Sequence, residues 1–131
     1  MLNNLDHIAL ILDGNKRWAR NNNHSKIYGY NKGFNNIKNI VDYSLSINLS
    51  NLTIFTLSSE NFNRSSVNII YNIIYDNFTK MFDELINKDG VKIKIFGERE
   101  ILPNAIRDIF EKCERISSNN KSLNLNIAFN Y

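Results

Sequence analysis

The sequence predicts an α/β protein, a parallel sheet with helices on its faces. Two observations carry this. Apolar runs of strand length alternate with segments of helical period, giving the order β-α-β-α-β-α-β. Polar, turn-forming residues then gather just downstream of the first two runs, where ligands of open parallel sheets collect. Strands in this order run parallel and are joined by right-handed crossovers. With 131 residues, the chain reads as a single α/β domain over 1–131 with one modest core.

His7-Ile-Ala-Leu-Ile-Leu12 is a continuous apolar run and predicts a strand buried on both sides. From Gly33 to Ile47, Phe34, Ile37, Ile40, Val41 and Leu45 recur at helical spacing. Leu52–Leu57 is the second strand, after which Ser65 or Ser66 is placed to cap a long apolar helix over 66–87. Gly90 supplies a left-handed stop to that helix. Val91–Phe96 alternates and predicts a strand with one wetter side. Pro103 suits the first turn of a helix reaching Ser117, and Leu123–Phe129 is the fourth strand. With no closing helix behind it, that last strand is expected to be poorly covered.

Hydrophobic residues at 43% and charged residues at 22% describe a folded chain rather than a disordered one. A net charge of +3, scattered along the chain, does not argue for nucleic acid. Cys113 is the single cysteine, which excludes an internal disulfide and reads as a buried structural thiol. There is no apolar run of the roughly 18 residues a membrane span needs, and no signal-like N-terminus. The expected location is therefore cytoplasmic, with contact at a membrane surface left open. The 24 asparagines read as compositional bias, and Asn21-Asn22-Asn23 as a flexible loop.

Two polar clusters carry the chemistry. The first strand ends on Asp13-Gly14-Asn15, followed by Lys16, Arg17, Trp18 and Arg20. A hard carboxylate beside bare amides and a guanidinium suits a diphosphate bound with a divalent cation. An ordinary strand–turn–helix corner uses the same residues. The second strand ends on Ser58-Ser59-Glu60-Asn61-Phe62-Asn63-Arg64. Arg64 suits bidentate phosphate binding and Phe62 can wall an apolar group, although a helix-entry loop capped by Ser and Asn reads equally well. No Gly-x-x-x-x-Gly-Lys-Ser/Thr loop and no Gly-x-Gly-x-x-Gly supports a nucleotide-binding domain.

Taken together, the clusters resemble the cis-prenyltransferases, the undecaprenyl and dehydrodolichyl diphosphate synthase family. His7 to Ala19 follows the pattern His-x-Ala-x-x-x-Asp-Gly-Asn-x-Arg-Trp-Ala without a gap, and Leu57 to Arg64 follows Phe-Ser-x-Glu-Asn-x-x-Arg. Gly29-Tyr30-Asn31-Lys32-Gly33 matches a weaker Gly-His-x-x-Gly element, the third strand ends on Gly97-Glu98 where that family usually has Gly-Asp, and the fourth reads like the family's strand before Gly-Gly-Arg. The resemblance implies condensation of isopentenyl diphosphate onto an allylic diphosphate such as farnesyl diphosphate, with a new cis double bond each cycle. It assigns Mg²⁺ to Asp13 and diphosphate contacts to Gly14, Asn15, Lys16 and Arg17. Trp18 would pack the first isoprene units. Ser58, Ser59 and Glu60 would line the site, Asn61 would join the proton-removal network, and Phe62 and Arg64 would touch substrate. The helices over 34–47 and 66–87 would wall the tunnel for the growing chain.

Lys26 stands where the family has an arginine and Tyr30 where it has a phosphate-binding histidine, so a guanidinium fork and an imidazole are both exchanged. Leu57 replaces Phe, Phe62 replaces Trp, and Asn68 stands where many members have a glutamate. The family's Gly-Gly-Arg and Arg-x-Gly-Gly-Glu-x-Arg-x-Ser segments, which bind isopentenyl diphosphate and build a homodimer interface, are not in the sequence. The expectation is an allylic half-site that does not elongate unaided: a truncated or split N-terminal portion of the enzyme. The alternative is a decayed, non-catalytic module for binding a prenyl diphosphate or a partner.

Overall fold

The computed structural model describes residues 4–57, 67–86 and 90–129. Strands β1 (His7–Ile11), β2 (Asn51–Leu57), β3 (Val91–Phe96) and β4 (Leu123–Phe129) form one sheet in the order β1-β2-β4-β3, every pair parallel. The helices are α1 (Asn15–Asn21), α2 (Lys26–Ser46), α3 (Val67–Met81), continued by a π-helical turn over Phe82–Ile86, and α4 (Asn104–Ile116). The α/β class and the parallel sheet stand as predicted.

The poor cover expected of β4 does not. This strand lies between β2 and β3 and buries Leu123, Leu125, Ile127, Ala128 and Phe129, so it is the best covered strand rather than the worst. The exposed strand is β1, which pairs only with β2 and alternates between exposed and half-buried residues, with Ile11 71% exposed. An unbroken apolar run suggests burial on both sides, but the strand's place at the sheet edge decides the outcome.

Register explains where the core sits. Leu52 pairs with Leu125 and Ile54 with Ile127, while Ile93 and Ile95 oppose the same two β4 residues from the other side. These residues share one sheet face with Ile37 and Val41 of α2, Ile70, Ile74 and Phe78 of α3, and Ile106 and Phe110 of α4. The phenyl rings of Phe78 and Phe110 meet edge-on at 4.9 Å, and those of Phe110 and Phe129 lie tilted at 5.2 Å. The opposite face carries polar cross-strand pairs: Asn124 to Asn51, Asn126 to Thr53, and His7 to Thr53.

Helix α2 begins at Lys26, a full two turns before the apolar period at Gly33 suggests. The Ser25 hydroxyl accepts the Tyr28 N–H at 3.2 Å and caps it. Its first turns press on α1 through Gly29 and Gly33 instead of large apolar side chains, so they leave no hydrophobic stripe. A methyl group at residue 29 would lie 2.5 Å from the Asn15 carbonyl oxygen. Gly90 is left-handed at φ +68°, and Pro103 takes the cap position just before α4 rather than its first turn. The expected caps Ser65 and Ser66 lie outside the described residues. Cys113 is fully buried, and desolvation pushes its thiol up to about 12, as a structural thiol requires. No helix among the described residues is long and apolar enough to cross a membrane.

Candidate functional site

Beyond the carboxyl ends of β1 and β2 lies a cleft of about 720 Å³. The two strand ends are neighbours: Ile11 pairs with Phe55, and the Leu12 N–H donates to the Phe55 carbonyl at 3.0 Å. Asp13 follows at the cleft wall. Its carboxylate accepts the Gly14 N–H at 2.7 Å, and Gly14 turns the chain at φ +83°, a conformation that favours glycine. Helix α1 starts at once, with no side chain capping its first turn. Lys16, Arg17 and Arg20 lie one turn or less apart and all line the cleft.

The α1–α2 connection is a bonded turn, not the flexible loop expected of an asparagine run. The Asn22 amide donates to the Trp18 carbonyl at 2.9 Å, and Asn23 takes the left-handed φ of +58° that asparagine tolerates. The His24 N–H then donates to the Ala19 carbonyl at 2.8 Å. This turn delivers His24 and Lys26 to the cleft, and the next turns of α2 add Tyr30, Gly33 and Phe34. Thr56 sits at a bulge where β2 slips against β4, and its hydroxyl donates to the Ala128 carbonyl at 3.0 Å. Ile70 and Ile73 of α3, with Leu12, supply apolar wall.

The electrostatics are one-sided. Among the described residues, Lys16, Arg17, Arg20 and Lys26 share the cleft with a single carboxylate, Asp13. Between Asp13 and Asp42 the sequence holds no Asp or Glu. Among the described residues none of these four cations has a carboxylate partner, and Asp13 makes no ion pair. Like charges held together repel, so the arrangement favours an anion. No cluster of three His, Cys, Asp or Glu residues able to hold a metal alone occurs among the described residues.

Of the predicted site residues, Asp13, Gly14, Asn15, Lys16, Arg17, Lys26 and Tyr30 come together in the cleft. Trp18 does not line it. Its indole lies half-exposed in a stack with His24 at 5.8 Å and Tyr28 at 6.2 Å. Ser58, Ser59, Glu60, Asn61, Phe62 and Arg64 lie outside the described residues. The sequence reading missed His24 and Thr56; it named Arg20 in the first cluster without giving it a role, and Phe34 as part of the helix expected to wall the tunnel. Helical spacing from Lys16 and Arg17 was a usable signal for Arg20, whereas His24 depends on the turn and Thr56 on the bulge.

A family model for undecaprenyl diphosphate synthases matches residues 11–131. A tritrans,polycis-undecaprenyl-diphosphate synthase (geranylgeranyl-diphosphate specific) of Thermococcus kodakarensis is 33% identical over 95% of this chain and 48% of its own length. An isoprenyl transferase of Prochlorococcus marinus is 36% identical over 96% of this chain and 47% of its own. The crystal structure of lavandulyl diphosphate synthase from Lavandula x intermedia, in complex with dimethylallyl diphosphate, superposes with a TM-score of 0.91 at 29% identity, covering 96% of this chain and 55% of that one. The chain thus spans about half the length of the curated relatives it matches.

Proposed function

The chain belongs to the cis-prenyltransferase family, and from that premise we propose that it carries the allylic-diphosphate half-site for cis chain elongation. One observation supports this above the others. A cleft lined by four cations, with Asp13 its one carboxylate among the described residues, also carries an apolar wall of Leu12, Phe34, Ile70 and Ile73. An allylic diphosphate has the same two parts, a trianionic head at full ionisation and a hydrocarbon tail.

In this reading Lys16, Arg17, Arg20 and Lys26 bind the diphosphate and stabilise the charge that grows on it as the allylic C–O bond breaks. The uncapped amides at the start of α1 and the Tyr30 hydroxyl add donors. Phe34, Ile70 and Ile73 exclude water from the tail and from the cationic character developing at its first carbon. The donor set fits Mg²⁺, which commonly takes one or two carboxylates and fills its octahedron with substrate phosphates and water. Asp13 would hold it, and the ion, when bound, supplies further neutralisation of the leaving diphosphate. Ser58, Ser59, Glu60, Asn61, Phe62 and Arg64 enter the proposal through sequence resemblance. Asn61, a poor base, would orient a water or a diphosphate oxygen in proton removal. The reading concerns binding and activation of the allylic partner. The segments that the resemblance assigns to isopentenyl diphosphate and to pairing of two copies are not in this sequence.

Isothermal titration with farnesyl diphosphate and Mg²⁺ tests it. Saturable binding by the chain, weakened about tenfold or more by Asp13→Ala, is the expected result. Equal heats for the two proteins would remove the metal role from Asp13, and absence of binding would remove the half-site. Parallel titrations with geranylgeranyl and dimethylallyl diphosphate establish the length of starter that the apolar wall accepts.

A further inference from the structure

We propose that His24, together with Arg20, forms a second anion-binding tier in the cleft that holds the phosphoryl group farther from Asp13. The inference rests on the half-site reading and adds to it a histidine outside the predicted motifs. Arg20 follows Lys16 by one helical turn, about 5 Å along α1 and away from Asp13. The cations of α1 therefore start from two levels of the helix, and His24, four residues beyond Arg20, lines the same cleft from the following turn.

His24 is built into place. Its backbone is tied to α1 by the bond to the Ala19 carbonyl, and its ring lies 4.1 Å from the Tyr28 ring at an angle of 24°, with Trp18 stacked beyond. A stacked imidazole presents its ring nitrogens at the rim, where an N–H can donate to an oxyanion. Among the described residues neither nitrogen has a hydrogen-bond partner. Arg20 and Lys26 line the same cleft, and among the described residues it offers no carboxylate besides Asp13, so this wall is short of negative charge. An anion reaching one turn past Asp13 supplies that charge. Two tiers one turn apart match two linked phosphoryl groups better than one.

The chain holds two histidines, and the second serves as an internal control. His7 begins β1, at the opposite end from the cleft, with its ring bonded to the Thr53 hydroxyl at 2.6 Å. In the full chain with labelled histidine, inorganic pyrophosphate is expected to move the His24 ring resonances and leave those of His7 unmoved. His24→Phe keeps the aromatic stack and removes both nitrogens. It is expected to weaken farnesyl diphosphate binding about tenfold and farnesyl monophosphate binding less than about twofold. Unchanged diphosphate affinity in His24→Phe, with Asp13→Ala still impaired, would overturn the His24 role and leave the half-site standing. Equal losses for the mono- and diphosphate would overturn the two-tier arrangement. If the unmodified chain binds neither ligand, both readings fall together.

Discussion

The two sides of the sheet's carboxyl end treat charge in opposite ways. On the β3–β4–α4 side, Arg99 pairs with Glu114 at 2.6 Å and donates to the Ile95 carbonyl at 2.8 Å, while Glu114 accepts the Ile95 N–H at 3.2 Å. Even the buried Ser117 hydroxyl is used twice, donating to the Cys113 carbonyl and accepting the Ile93 N–H. On the β1–α1–α2 side, four cations face one carboxylate and none is paired among the described residues. The packing differs in the same sense. The first side is filled with interlocking phenyl rings, and the second is drawn together at two glycines. A satisfied polar network serves stability, whereas unmatched charge is tolerable where a ligand completes it.

Three substitutions or conditions probe that division. Gly97→Ala attacks the satisfied side hardest. A methyl group there would sit 1.8 Å from the Phe129 carbonyl oxygen, at a φ of +137°. Urea unfolding is expected to show a loss of about 4 kcal/mol or more, enough to unfold a marginal domain. Gly29→Ala should act on the ligand side instead. Its methyl would press on the Asn15 carbonyl oxygen and on Ala19 Cβ at 2.8 Å, forcing α1 away from α2. About 2 kcal/mol of stability is expected to go, along with several-fold of the farnesyl diphosphate affinity in the molecules that remain folded.

The smallest effect concerns pH. Burial holds the Cys113 thiol at about 12, above the ordinary value of 9.0. The unfolded chain therefore loses this proton first. The contribution is intact below about pH 9 and declines as pH rises toward 12, costing about 1 kcal/mol by pH 10. Comparing unfolding of the parent with Cys113→Ala isolates it, because the variant lacks that extra alkaline slope while losing some packing at every pH.

Much of the architecture was legible because strand runs such as Leu52–Leu57 and Leu123–Phe129 are short, apolar and set off by turn residues. The strand order was not. Placing β4 inside the sheet depends on which pairing the whole chain prefers, and no local pattern encodes that. The site divides similarly. Asp13 through Arg17 follow a strand directly and were readable from spacing, while His24 arrives through a left-handed asparagine. The asparagines dismissed as bias also include useful ones. The Asn77 amide, buried in α3, donates to Asn31 of α2 at 3.0 Å, and the Asn120 amide donates to the carbonyls of both Ile86 and Val91. A residue type used everywhere loses its signal in a sequence, yet each copy still has its own hydrogen bonds to make.

The contact between Asn15 and Gly33 has an evolutionary corollary. The carboxamide of Asn15 occupies the space a β-carbon at residue 33 would need, 2.8 Å from either terminal atom. A side chain at residue 33 is therefore tied to what residue 15 carries. A lineage that enlarges one must shrink or re-aim the other, and a mutational library exploring new starter specificities should therefore vary the two as a single codon pair.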